Sequence, residues 1–106
     1  MSEPVTPARF DSFAEFYPFY LVEHTNRTCR RLHFVGTSLG LLCFIQAVLQ
    51  GRPGLILLGL MLGYAFAWVG HFAFEKNKPA SFKQPLYSFM GDWKMWWQML
   101  TRRIPF

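Results

Sequence analysis

Two stretches without a formal charge constrain this chain more than any other feature. Leu32 to Gly51 runs for 20 residues and Pro53 to Phe74 for 22, and only Arg52 parts them. An α-helix rises about 1.5 Å per residue, so about 20 apolar residues cross the hydrocarbon core of a bilayer. The second run meets this clearly, while Thr37, Ser38 and Gln46 weaken the first. Between them, Gly51-Arg52-Pro53-Gly54 is a strong turn signal. The expectation is an all-α fold, one membrane-embedded domain over 1–106, built on a helical hairpin with transmembrane spans near 32–51 and 53–75.

Charge supports that reading. Only 16% of residues are charged while 52% are hydrophobic and 19% aromatic, a poor charge content for a soluble domain. The net charge of +5 is not arranged as a nucleic-acid footprint, so no nucleic-acid partner is expected. Arg27, Arg30 and Arg31 precede the first run, and Lys76, Lys78 and Lys83 follow the second, whereas the turn carries only Arg52. The positive-inside rule then puts both termini in the cytoplasm, in a bacterial inner membrane or the endoplasmic reticulum. Cys29 sits beside two arginines and Cys43 inside an apolar run, a setting that favours reduced thiols. Residues 1–8, with Glu3, Pro4 and Pro7, read as a loose polar tail and not as a signal peptide.

Both flanks read as amphipathic interfacial helices. Phe10, Phe13, Tyr17 and Tyr20 follow helical spacing, and Ser12 with Glu15 makes a capping box. Pro18 predicts a break or kink. From Pro85 to Arg103, the residues Leu86, Met90, Trp93, Trp97 and Leu100 form an apolar stripe, with Asp92, Lys94, Arg102 and Arg103 off it. Either helix suits the membrane surface or a position packed over the cytoplasmic end of the hairpin.

The three histidines are His24, His33 and His71. In antiparallel helices folded about Gly51-Arg52, residues at one depth sum to about 103, which brings His33 level with residue 70 and so with His71. Gly59, Gly63, Ala67 and His71 repeat every four residues, and Gly36 and Gly40 offer a matching small-residue face, with Gly40 level with Gly63. This seam points His71 inward; the same glycines would also suit a homodimer. Ionisable groups in a span are functional candidates, and Glu75, four residues after His71, falls on the same helical face. His24 joins the pair only if the chain breaks between it and His33, for which Thr25 and Asn26 supply cap signals; a straight helix would set the two about 13 Å apart in rise. The alternative ligand set is His33, His71 and Glu75. Two histidines and a carboxylate suit iron(II) oxygenases, and three histidines with water suit zinc hydrolysis; spacing does not choose. Three histidines are too few for the two-metal sites of His-box desaturases. No nucleophile elbow and no phosphate loop is present.

The runs Tyr20-Leu-Val-Glu-His24, Asn26-Arg27, Leu32-His33-Phe-Val-Gly36 and Val69-Gly-His71-Phe-Ala-Phe-Glu75-Lys-Asn-Lys-Pro79 resemble a family of small membrane proteins. It includes the yeast endoplasmic-reticulum dioxygenase of phytosphingosine breakdown. The resemblance covers most of the chain, from about Phe13 to the Trp-rich end. It implies an Fe(II)-dependent dioxygenase that uses O2 to cleave 2-hydroxy fatty acids between C1 and C2, leaving a fatty acid one carbon shorter. It carries metal-ligand roles onto His24, His33 and His71. Glu75 completes the catalytic set or orients a ligand histidine. Asn26, Arg27, Arg30 or Lys78 would hold the substrate carboxylate, although the same residues also suit headgroup contact. The competing readings are a non-enzymatic hairpin that scaffolds or senses lipid, and a zinc-dependent lipid hydrolase.

Overall fold

The computed structural model describes residues 10–78 and 84–106. The expected tail at 1–8, Pro79 of the resemblance motif and Lys83 of the charge bracket lie outside them. Four α-helices follow in order: α1 Phe13–Val22, α2 Arg27–Gln50, α3 Gly54–Val69 and α4 Pro85–Leu100. A π-helix, Gly70–Glu75, continues α3.

The hairpin is α2 and α3, and its turn is set by Gly51. Gly51 takes φ 63°, a left-handed conformation that glycine adopts without a Cβ penalty. The Arg52 N–H then returns to the Ala47 carbonyl at 2.9 Å, and Pro53 starts the return helix. Helix α2 extends further than expected, beginning at Arg27 instead of residue 32. The reason is local: Asn26 caps it, its side-chain oxygen accepting from the Cys29 N–H at 3.1 Å. Both long helices, 24 residues for Arg27–Gln50 and 22 for Gly54–Glu75, are long and apolar enough to cross a membrane. Leu42, Val48, Leu49, Leu57 and Met61 are exposed on their outer faces.

The glycines pack within the hairpin. Gly36 faces Gly63, and Gly40 faces Gly59, one helical turn from the expected register that set Gly40 level with Gly63. The faces that would have served a homodimer are therefore occupied inside the chain.

Helix α1 runs unbroken through Pro18. The residue lacks the N–H that would reach the Ala14 carbonyl, but both positions are exposed, so water can satisfy the freed carbonyl. Ser12 caps the helix, its hydroxyl accepting from the Glu15 N–H at 3.2 Å. Its inner face, Phe16, Tyr17 and Tyr20, packs on Met95 and Met99 of α4. Helix α4 lies in turn against α2, where Trp96 stacks on Phe34 and donates to the Ser38 hydroxyl at 2.9 Å. Its buried positions are Ser88, Gly91, Met95 and Met99. Leu86, Met90, Trp97 and Leu100 of the expected stripe point outward and stay exposed.

Candidate metal centre

The two helical ends opposite the turn bring His33 and His71 together. Although the backbone register is one turn off, side chains lean toward the N-terminus of their own helix. In an antiparallel pair this tilts His33 and His71 toward one another, and their Nε2 atoms meet at 3.2 Å. The chain breaks after α1, as the cap residues implied. His24 sits in that break and comes back over the end of α2, its Nε2 3.1 Å from that of His33. All three imidazoles are buried, at 1%, 5% and 1% exposure for His24, His33 and His71. Each offers a ligand atom within 4.8 Å of the others, the group of this kind among the described residues.

The far side of each ring decides what this cluster can do. The Nδ1 of His24 lies 2.6 Å from the Tyr20 carbonyl, which can only accept, so this nitrogen carries the proton. The Nδ1 of His71 lies 2.7 Å from the Asn77 side-chain oxygen. That amide is oriented by its NH2, which donates to the Glu23 carbonyl at 3.2 Å. The Nδ1 of His33 faces the Asp92 carboxylate at 3.4 Å. All three neutral rings are thus held as the Nδ1–H tautomer. Three Nε2 lone pairs then converge with no proton to share among them, an arrangement that repels itself unless a cation sits between. Burial pushes the His24 imidazole well below its ordinary range, with the neighbouring His33 and His71 adding to the effect, which disfavours a proton on the His24 Nε2. Separations of 3.1 and 3.2 Å match adjacent ligands around one ion at metal–nitrogen distances of about 2.0–2.1 Å.

A frame of side chains holds these partners. The Tyr20 hydroxyl donates to Asp92, and the Tyr20 ring stacks on His24 at 4.0 Å between centroids. Burial raises the Tyr20 phenol well above its ordinary pKa, and Asp92 adds to this, so it remains a donor. A Cβ on Gly91 would sit 2.9 Å from the same ring, so glycine is needed for the close approach of α4.

A family model described as 2-hydroxy-palmitic acid dioxygenase Mpo1-like matches residues 10–104. The chain belongs to this family. No match was found among curated proteins or solved structures. In this Mpo1-like protein, the three histidines expected from the sequence converge, and Glu75 does not join them. The π-helix widens the turn after His71, and the Glu75 carboxylate is taken up by the Asn26 N–H and, at 3.4 Å, by the Thr25 hydroxyl. The group close enough to hold a metal ion is thus His24, His33 and His71, and Glu75 of the alternative set lies outside it. Of the residues expected at the substrate carboxylate, Asn26 is engaged as the helix cap. Arg30 donates to the Thr25 carbonyl at 2.9 Å and to that of Pro105 at 3.4 Å, tying down the break that carries His24. Arg27 and Lys78 are exposed. Cys29 and Cys43 are both free thiols.

Sequence reasoning missed Asp92, Asn77 and Tyr20. Asp92 was counted on the polar face of α4, yet it is the one acid between Pro85 and Phe106, a signal that was available. Asn77 had a weaker one, lying within the motif that holds His71.

Proposed function

We propose that this Mpo1-like protein is a membrane-embedded, iron(II)-dependent dioxygenase of 2-hydroxy fatty acids, with His24, His33 and His71 as the metal ligands. The observation that carries the reading is the convergence of three buried Nε2 atoms whose Nδ1 partners exclude any hydrogen bond among them. When bound, iron(II) supplies the redox chemistry that lets O2 react with an organic acid. The protein's own residues set the stage. Tyr20, Asn77 and Asp92 hold the three tautomers, and Glu75 and Arg30 hold the break that carries His24. Arg27 and Lys78 attract the substrate carboxylate to the rim. Without a further reductant, atoms and electrons balance when a 2-hydroxy acid and O2 give the acid one carbon shorter, CO2 and water.

The membrane setting is supported by two apolar helices of spanning length with apolar outer faces, and by basic residues gathered at the histidine end. In that setting both termini are cytoplasmic and the site lies at headgroup depth. An acyl chain then stays in lipid while its polar end reaches the histidines.

The test is metal content and oxygen uptake of protein purified anaerobically in mild detergent. About one iron per chain is expected, lost in His24→Ala, His33→Ala and His71→Ala, with O2 uptake and pentadecanoate formed from 2-hydroxypalmitate. Iron-free protein whose stability ignores all three substitutions would leave a lipid-binding hairpin as the better description. Stoichiometric zinc without O2 uptake would instead indicate a hydrolase.

A further inference from the structure

A groove runs along the hairpin from the histidine cluster. Its volume is about 540 Å³, within the range of sites that enclose small-molecule ligands. His33 and Asp92 line one end, and Phe44 and Ile56 the other. Its floor is the glycine seam, Gly36, Gly40, Gly59 and Gly63, where α2 and α3 pack backbone to backbone and no side chain rises into the groove beside them. Leu41 and Leu60 are among its apolar walls. From His33 to Phe44 the helix rises roughly 16 Å, the length of an extended chain of about a dozen carbons. A smaller cavity of about 10 Å³ shares His33 and Asp92 with the groove and is also lined by His71.

We propose that this groove is the binding site for the acyl chain of the 2-hydroxy fatty acid. The carboxyl end lies at His33 and Asp92, and the methyl end points toward Phe44 and Ile56. The assignment rests on the dioxygenase reading of the histidine site and adds to it the part of the protein that measures chain length. Three observations select this occupant over others. The lining is almost wholly apolar, the only ionisable groups stand at the end that touches the histidine site, and the long axis follows the span so that a chain in it lies parallel to bilayer lipid. The depth also sets a limit: carbons beyond about the first dozen pass Phe44 and lie in lipid without protein contact.

The experiment uses the wild-type protein in phosphatidylcholine nanodiscs and 2-hydroxypalmitate bearing a photoreactive diazirine at about its twelfth carbon, level with the far end of the groove. Labelled peptides are expected to map to the walls around Phe44 and Ile56, in metal-free protein as well as iron-loaded protein. Leu41→Trp and Leu60→Trp fill the middle of the groove. Each is expected to lower binding of 2-hydroxypalmitate at least tenfold relative to 2-hydroxyhexanoate, whose chain stops short of the middle of the groove, while metal content is unchanged, and Leu57→Trp, on the exposed outer face, leaves the ratio as it was. Focused labelling without iron or O2 uptake would keep the groove and remove the dioxygenase reading. Normal turnover with label spread over Val48 and Leu57, and an unchanged chain-length ratio, would remove the groove and keep the dioxygenase. Labelling abolished by ordinary excess phosphatidylcholine would assign the groove to bulk lipid and overturn the proposal.

Discussion

The glycine seam predicts an asymmetry that a small-residue pattern alone does not. Gly36 and Gly63 face each other, yet an added Cβ meets very different surroundings on the two sides. On Gly36 it would lie 2.8 Å from the Phe66 Cβ and 3.1 Å from the Gly63 carbonyl oxygen. On Gly63 its nearest neighbour would be the Gly36 carbonyl oxygen at 3.6 Å, an ordinary contact. Alanine in place of glycine inside a helix gains about 0.8–1.0 kcal/mol in propensity. Overpacking at a rigid backbone contact costs about 1–3 kcal/mol. Gly63→Ala is therefore expected to be neutral or stabilising by up to about 1 kcal/mol. Gly36→Ala is expected to be destabilising by up to about 2 kcal/mol net of that gain, because its clash is with backbone and a Cβ that cannot swing aside. The gap between the two variants is about 2 kcal/mol, or roughly 10 °C in midpoint for a chain of this size. Thermal melting followed by circular dichroism in one detergent measures it. Gly36 is also three residues from His33, so Gly36→Ala should weaken metal binding while Gly63→Ala does not. Equal melting of the two variants would refute the packing argument.

Four further outcomes follow from the histidines and the frame around them. Asp92→Asn and Asn77→Ala should each lower metal affinity about 10–100-fold, since partners of ligating imidazoles carry that much; metal titration against a competing chelator reads it. Tyr20→Phe removes the hydroxyl donated to Asp92 and should cost about 1.5–3 kcal/mol, as expected of a hydrogen bond to a charged group, seen as a lower melting midpoint with the fold retained. Glu75→Gln weakens the acceptor of the Asn26 N–H, so faster amide exchange is expected at the start of α2, and stripping the metal with chelator should lower the midpoint of wild type and not of His71→Ala.

The parts of the centre that obey helix geometry could be read before folding. His33 and His71 could be paired from hairpin arithmetic because both lie on regular antiparallel helices, and the backbone slip of one turn was absorbed by the lean of their side chains. His24 could be placed only conditionally, because its position depends on a break that Asn26 caps and Arg30 and Glu75 fasten from a distance. Asp92 was hidden by its helix. An acid among lysine and arginine on an amphipathic helix reads as solvated surface unless the tyrosine and histidine it meets, more than fifty residues away, are known. The π-turn was hidden for a different reason: residues four apart share roughly one face in either helix type, so the spacing of His71 and Glu75 does not distinguish them. Pro18 misled because its freed carbonyl lies on the outer side of α1.

That π-turn settles the electrical character of the centre. Had the Glu75 carboxylate reached the histidines, a divalent ion there would have been half neutralised by its own ligands. With Glu75 spent on the Asn26 N–H, the proposed ligands are three imidazoles and no carboxylate, and Asp92 stands behind His33. An ion so held would keep most of its double charge and would act as an anion receptor, so small anions such as azide or formate should compete with a carboxylic acid for it. Deleting one residue between Gly70 and Glu75 would return the segment to α-helical pitch, and with it the choice between an anion receptor and a self-neutralised site.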